Sequence, residues 1–273
     1  MIGWNDSPPP PFRIGLSGWL RVLWRGALIG SAVSGGLLLL LLIRVIEWPI
    51  YGQARPVTPH ITRLVCRIAL RVLHLPVGVT GRPMTHSGTI VANHSSWLDV
   101  LVLNSVQTVY FVAKDDVSGW PLIGWLARAT GTVFIARKGT EAKRQQEMFE
   151  ARLQAGHRLL FFPEGTSTDA IRVLPFKSTL FAALFSPALV RTMHVQPVTV
   201  VFHAPDGEDA RHYGWWGDMG FARHLLKTLA TGKHGRVELT FHPDVPVDAF
   251  ENRKLLSQYC ERVIRTAHVT AVN

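Results

Sequence analysis

The chain has 273 residues, 47% of them hydrophobic, which suffices for one α/β core plus an appended membrane segment and leaves no room for a second large domain. Lys and Arg number 29 against 19 Asp and Glu, a formal charge of +10, so an anionic bilayer or nucleic acid is the class of partner that the charge allows. Two cysteines, Cys66 and Cys260, stand far apart in no CxxC pair, which excludes a disulfide framework and a thiolate metal site and fits a reducing compartment.

In chain order, the proline run Pro8–Pro11 reads as disordered. No charge interrupts Gly26 to Ile43, about the minimum length for crossing a hydrocarbon core, and Trp19, Trp24 and Trp48 lie near its ends. A buried core helix or a signal peptide has the same appearance, but the segment lacks a small-residue cleavage site. Arg13, Arg21 and Arg25 precede it, and Arg44, Arg55, Arg63, Arg67 and Arg71 follow it, which by the positive-inside rule puts the rest of the chain in the cytoplasm. Thr58-Pro59 then opens a helix with Arg63, Arg67 and Arg71 on one face and Ile61, Leu64, Val65, Ile68 and Val72 over much of the rest. Such a helix suits an anionic lipid surface or packing on the protein's own core equally. Residues 1–76 are thus expected to be a membrane-associated helical segment and residues 77–273 an α/β domain.

Beyond Pro76, short apolar runs bounded by turn signals predict strands at Thr89–Ala92, Val109–Ala113, Thr132–Ala136, Arg158–Phe162, Val195–Phe202 and Val237–Phe241. Helices are predicted at Ser96–Asn104, Trp120–Ala129, Thr140–Ala155, Phe221–Thr231 and Asp248–Ala267. This alternation implies an α/β fold, a largely parallel sheet flanked by helices with chemistry at the carboxyl ends of its strands, preceded by the N-terminal membrane-docking helical module.

Four blocks carry candidate chemistry. His94 ends the first strand and Asp99 follows five positions later, one turn into a helix that Ser95 or Ser96 would cap. There the carboxylate can fix the imidazole tautomer and leave the other nitrogen to take a proton. Ser96 and Asp99 also make a capping box, which has no catalytic meaning. The strand from Gly131 delivers Arg137 and Lys138 to its exit, where a phosphate or carboxylate could bind, or where the pair is merely solvated. Phe162-Pro163-Glu164-Gly165-Thr166-Ser167 turns after a strand. Gly165 allows close backbone approach, and Glu164 is either an acceptor-binding acid or an exposed turn residue. Pro197, inside an apolar strand, suggests an edge, a bulge or a strand start. No HExxH occurs and most of the 12 histidines stand alone in polar stretches, so no metal is expected.

Through these blocks in order, the chain from about Pro76 to Phe202 resembles the glycerolipid acyltransferases, the lysophosphatidate acyltransferases and their relatives. His94 and Asp99 match the family's histidine, four residues and aspartate; Gly131 and Arg137 its second block; Phe162 to Gly165 its third; and Pro197 its fourth. The resemblance implies an inner-membrane, cytoplasm-facing enzyme that uses acyl-CoA or acyl carrier protein as co-substrate on a membrane lipid, with no cofactor, metal or covalent intermediate. It also implies His94 and Asp99 as catalytic residues and Arg137, Glu164, Gly165, Thr166 and Ser167 as substrate-binding residues. A thioester is already activated, so a base worth about 10² to 10⁴ in rate, with oxyanion donors such as the backbone amides after His94, is all that the chemistry demands.

Lysophosphatidate-specific relatives usually carry arginine where Ser167 stands. The block Phe162 to Asp169 and the segment Tyr213–Met219 look more like relatives that O-acylate lyso-ornithine lipid and similar aminolipids. A lyso-aminolipid is therefore the expected acceptor, and lysophosphatidate the alternative. A membrane-tethered basic module without catalysis would explain the charge but not four ordered blocks, and with no helix-turn-helix or RNA-binding signature no nucleic-acid partner is expected.

Overall fold

The computed structural model describes residues 11–135 and 142–272. Helix α1 (Leu16–Tyr51) is longer at both ends than the uncharged stretch inside it, because its flanking charges find partners on the rest of the protein. Gly18, Val22, Arg25, Leu40 and Glu47 form a buried stripe along one side. The other side exposes Leu20, Leu23, Leu28, Leu38, Leu42, Ile46 and Ile50. By length and composition the helix could cross a membrane.

Helix α2 (Thr58–Leu73) folds back along α1. Gly36 makes the approach possible, since a Cβ there would stand 2.3 Å from Val65 Cγ2. Glu47 caps α2: one carboxylate oxygen accepts the amides of Val57 and Thr58 at 2.8 and 3.3 Å, and the other accepts the Thr58 hydroxyl at 2.7 Å. An anion at the positive end of a helix dipole is favourable, and here it welds the hairpin. Of the two settings open to α2, packing on the protein accounts for Cys66, Ala69, Leu70 and Leu73, all buried. Arg63 and Arg67 both donate from Nε to the Ser105 carbonyl near the end of α3 (Leu98–Val106).

Among the described residues eight strands form one sheet: β1 (Val77–Gly81), β2 (Gly88–Ala92), β3 (Tyr110–Lys114), β4 (Val133–Ile135), β5 (Arg158–Phe161), β6 (His194–His203), β7 (Arg236–Phe241) and β8 (Val245–Pro246). The order is β1-β7-β6-β2-β5-β3-β4, with β8 pairing β6. All pairs are parallel except β6 with β7 and with β8. Alternation along the strands divides the core. Ile90, Ala92, Leu160 and Val198 face α2, α3 and α6 (Phe221–Ala230), whereas Val91, Leu159, Phe161 and Val195 face α5 (Ala142–Gln154) and α7 (Arg253–Val272). Helix α4 (Ile123–Thr130) connects β3 to β4. Cys66 and Cys260 are buried free thiols.

The structure departs from the sequence reading at several places. Val77–Gly81, where no strand was expected, is a strand that gains its order by pairing with β7. Helix α7 starts at Arg253 and not at Asp248, because the Asn252 side chain accepts the amides of Lys254 and Leu255, and Asp248 lies in a preceding 3-10 turn. An eight-residue 3-10 segment, Ser178–Phe185, was not anticipated. Pro197 is not on an edge, but in β6 between β2 and the switch from β8 to β7 as the other neighbour. Its carbonyl accepts from His242 on that switching side, so the N–H it lacks falls where the partner changes.

Replacing Glu47 by Ala should lower folding stability by about 1–3 kcal/mol, since it leaves α2 amides and a buried hydroxyl without their charged acceptor. Denaturant unfolding of the purified protein in detergent measures this. An unchanged midpoint would mean that the hairpin does not depend on the cap.

Candidate active site

Strands β2 and β5 are parallel neighbours with Val91 opposite Phe161, so the turns that follow them emerge side by side. The first brings His94 and Asp99 together: His94 Nδ1 lies 2.7 Å from Asp99 Oδ2. The same oxygen accepts the amides of Ser95 and Ser96 at 2.8 and 3.1 Å, and Asp99 is fully buried. Only half of a capping box is therefore present; the other function of the carboxylate is to hold the imidazole. With Nδ1–H donated to the carboxylate, Nε2 is the nitrogen left with a lone pair, and the ring keeps 18% of its side chain exposed. Phe162 stacks on the ring at 4.0 Å between centroids and 11° between planes, which fixes its orientation.

Neighbouring groups fix the backbone of His94 from both sides. The Asn93 side chain pairs with both the amide and the carbonyl of Val200, each at 2.8 Å, and so continues the β2–β6 ladder beyond the last strand residue. Thr168 donates its amide and its hydroxyl to the His94 carbonyl. The Trp215 amide bridges the carbonyls of Ser95 and Thr168, and the Ser167 hydroxyl donates back to the Trp215 carbonyl. Gly214 allows this contact, since a Cβ there would come within 2.5 Å of the Asp169 backbone. The Tyr213–Met219 segment singled out by sequence thus locks the two turns together.

Glu164 differs from its sequence reading as an acceptor-binding or exposed acid. It is buried, and its two oxygens accept the amides of His94 at 2.7 Å and Leu174 at 2.6 Å. It clasps the His94 turn to the segment after Asp169. The amides of His94, Ser95 and Ser96 are all consumed by carboxylates, so those after His94 are not free to serve as oxyanion donors. Gly165 has φ 71°, and a Cβ on it would meet the Lys177 ammonium at 2.8 Å. Thr166 is exposed beside it. Arg137 lies outside the described residues. Asn93, Thr168 and Lys177 were missed by sequence reading, and only the asparagine adjoining His94 offered a local signal.

Burial pushes the Glu164 carboxyl from 4.5 up to about 8, outweighing the two amide donors that favour its ionised form. The folded state therefore holds this proton more tightly than the unfolded chain does. Its contribution to stability is complete below about pH 4.5 and is lost as the pH rises through about 8. Glu164→Gln cannot lose a proton, so its unfolding free energy should vary less than the wild type's across that window, at a cost of about 1–3 kcal/mol for the amide left facing an N–H. Equilibrium unfolding at a series of pH values measures both. Parallel curves would show that Glu164 is ionised throughout.

Comparison with known proteins agrees with this geometry. The acyltransferase family model matches residues 77–201. A lyso-ornithine lipid O-acyltransferase of Rhodobacter capsulatus is 52% identical over 97% of this chain and 96% of its own length. A 1-acyl-sn-glycerol-3-phosphate acyltransferase of Neisseria gonorrhoeae is 37% identical over 60% of this chain and 64% of its own. The crystal structure of the 1-acyl-sn-glycerophosphate acyltransferase PlsC from Thermotoga maritima superposes with a TM-score of 0.64, at 22% identity, over 92% of this chain and 94% of that one, and so shares the fold. With a relative this similar over nearly its whole length, and with the family model spanning the turns that carry His94 and Glu164, the chain belongs to the acyltransferase family.

Proposed function

We propose that the protein transfers a fatty acyl group from acyl-CoA or acyl carrier protein to the free hydroxyl of a membrane lysolipid, with lyso-ornithine lipid as the favoured acceptor. The observation that carries this reading is the His94–Asp99 pair at the end of β2, with Nε2 unengaged among the described residues. Nε2 takes the acceptor hydroxyl's proton as that oxygen attacks the thioester carbonyl, and Asp99 balances the positive charge that forms on the ring. The tetrahedral oxyanion then collapses, the C–S bond breaks, and the departing thiolate recovers the proton from Nε2. Thr166 and Ser167, whose amides carry no hydrogen bond among the described residues, are the donors left to meet the oxyanion.

Two observations support an aminolipid acceptor. The Ser167 hydroxyl is turned to the Trp215 carbonyl and offers no cation at that place. Arg172 is drawn onto Asp169, with three nitrogen–oxygen distances between 2.8 and 3.0 Å. High similarity to a lyso-ornithine lipid enzyme points the same way. Lysophosphatidate is the second reading, favoured by the Lys177 ammonium beside Gly165.

The protein associates with membranes through α1. We infer that it does so from one side, in the inner membrane with the site facing the cytoplasm. Arg25, donating to the carbonyls of Leu229 and Thr231, and Glu47, capping α2, are both bonded to the remainder of the protein. They lie about 33 Å apart along the helix, more than the roughly 30 Å of a hydrocarbon core. A helix crossing the bilayer would have to break one of these attachments, whereas one lying in the interface keeps both and turns its exposed leucines into lipid.

In liposomes with radiolabelled acyl donor, lyso-ornithine lipid should be acylated about ten-fold or more faster than lysophosphatidate at equal surface concentration, the size expected for one charge-assisted contact. His94→Ala should lower turnover by about 10² to 10⁴ on either acceptor. Faster acylation of lysophosphatidate would select the second reading, and unchanged turnover in His94→Ala would remove the base.

A further inference from the structure

At the end of the sheet away from His94, strand register gathers three side chains that are far apart in the chain. His194, the first residue of β6, pairs with Gly88 of β2 on one side and with Pro246 of β8 on the other. His86 and Asp244 each precede one of those partners by two residues and so flank His194. Gly88 permits the approach, since a Cβ there would lie 2.5 Å from the His194 carbonyl oxygen. Asp244 Oδ2 stands 2.6 Å from His194 Nδ1 and 3.0 Å from His86 Nε2. One ligand-capable atom from each residue lies within 4.8 Å of the other two, and the imidazoles meet edge to face at 4.5 Å. The side chains of His86, His194 and Asp244 are 45%, 33% and 27% exposed, so an ion can enter from solvent.

We propose that His86, His194 and Asp244 bind one divalent transition ion of the zinc class. Two imidazole nitrogens and one carboxylate oxygen are the donor set that Zn²⁺ and Co²⁺ take readily, and three protein ligands leave a position for water. With bonds of about 2.0–2.1 Å, neighbouring ligands of a tetrahedral ion stand about 3.3 Å apart, so each contact to the carboxylate opens by less than about 1 Å. The ion replaces the protons now shared between the imidazoles and the carboxylate. It ties the segment before β2, the start of β6 and the β7–β8 link together, and as a ligand of the folded state it stabilises that state by mass action. The site lies across the length of β2 from His94 and takes no part in acyl transfer. The sequence expectation of no metal saw isolated histidines, because only the register of β2, β6 and β8 brings them together.

The untagged full-length protein, purified in detergent and stripped with chelator, tests this. Co²⁺ should bind at one equivalent with visible absorption from nitrogen ligation, and Zn²⁺ should displace it and raise the unfolding midpoint. His194→Ala and Asp244→Ala should abolish both effects while His94→Ala keeps them. Should His194→Ala fail to fold, His86→Ala, on the more exposed partner, carries the same expectation. Co²⁺ absorption that survives in His86→Ala and Asp244→Ala, or a wild-type protein whose spectrum and midpoint ignore both ions, would overturn the proposal and leave only a hydrogen-bonded triad.

Discussion

One carboxylate oxygen, Asp99 Oδ2, accepts three hydrogen bonds at the end of β2, from the amides of Ser95 and Ser96 and from His94 Nδ1. A fully buried carboxylate is costly unless it is hydrogen-bonded, and the donors to Oδ2 are the turn that carries His94, while Oδ1 has no donor among the described residues. The geometry of the turn and the orientation of the imidazole therefore stand or fall together. Glu164 repeats the device on the other side, spending its oxygens on the amides of His94 and Leu174. Two buried acids thus shape a loop that contributes one partly exposed nitrogen to chemistry.

The same turn is linked to the apolar helix α1 through α6. Trp97 Nε1 donates to His224 Nδ1 at 2.8 Å, and burial with the nearby Lys227 pushes His224 down to about 3, so its ring is neutral and can accept. At the far end of α6, Arg21 and Arg25 of α1 take the carbonyls of Leu229, Ala230 and Thr231. Cations at a helix carboxyl terminus are favourable, and with Arg25 buried they specify where α1 lies. Arginines that in sequence bracket an apolar stretch are thus anchors to the protein's own fold.

Much of this was legible beforehand because its signals are local. Val195–Phe202 is buried throughout and apolar except at Gln196 and Thr199 because β6 is covered on both faces, and the spacing of His94 and Asp99 is the one that a tight turn into a helix can close. What sequence could not give depends on distant partners. Val77–Gly81 is ordered by β7, some 160 residues on, and not by its own propensity. Glu164 points inward because its amide donors belong to His94 and Leu174, which no inspection of Phe-Pro-Glu-Gly reveals. Asn93 and Thr168 look like ordinary polar residues until Val200 and the His94 carbonyl are beside them. Arg25 and Arg44, read as flanks of a span, turned out to lie within one helix fastened at both ends.

The account rests on His94 existing as the Nδ1–H tautomer with a bare Nε2. Nitrogen-15 NMR of histidine-labelled protein in detergent, with the His94 signals assigned by their loss in His94→Ala, observes this directly. The account predicts a protonated Nδ1 and an unprotonated Nε2 in the neutral ring, with that preference lost in Asp99→Asn. A His94 ring protonated at Nε2, or one whose tautomer is indifferent to Asp99, would contradict it.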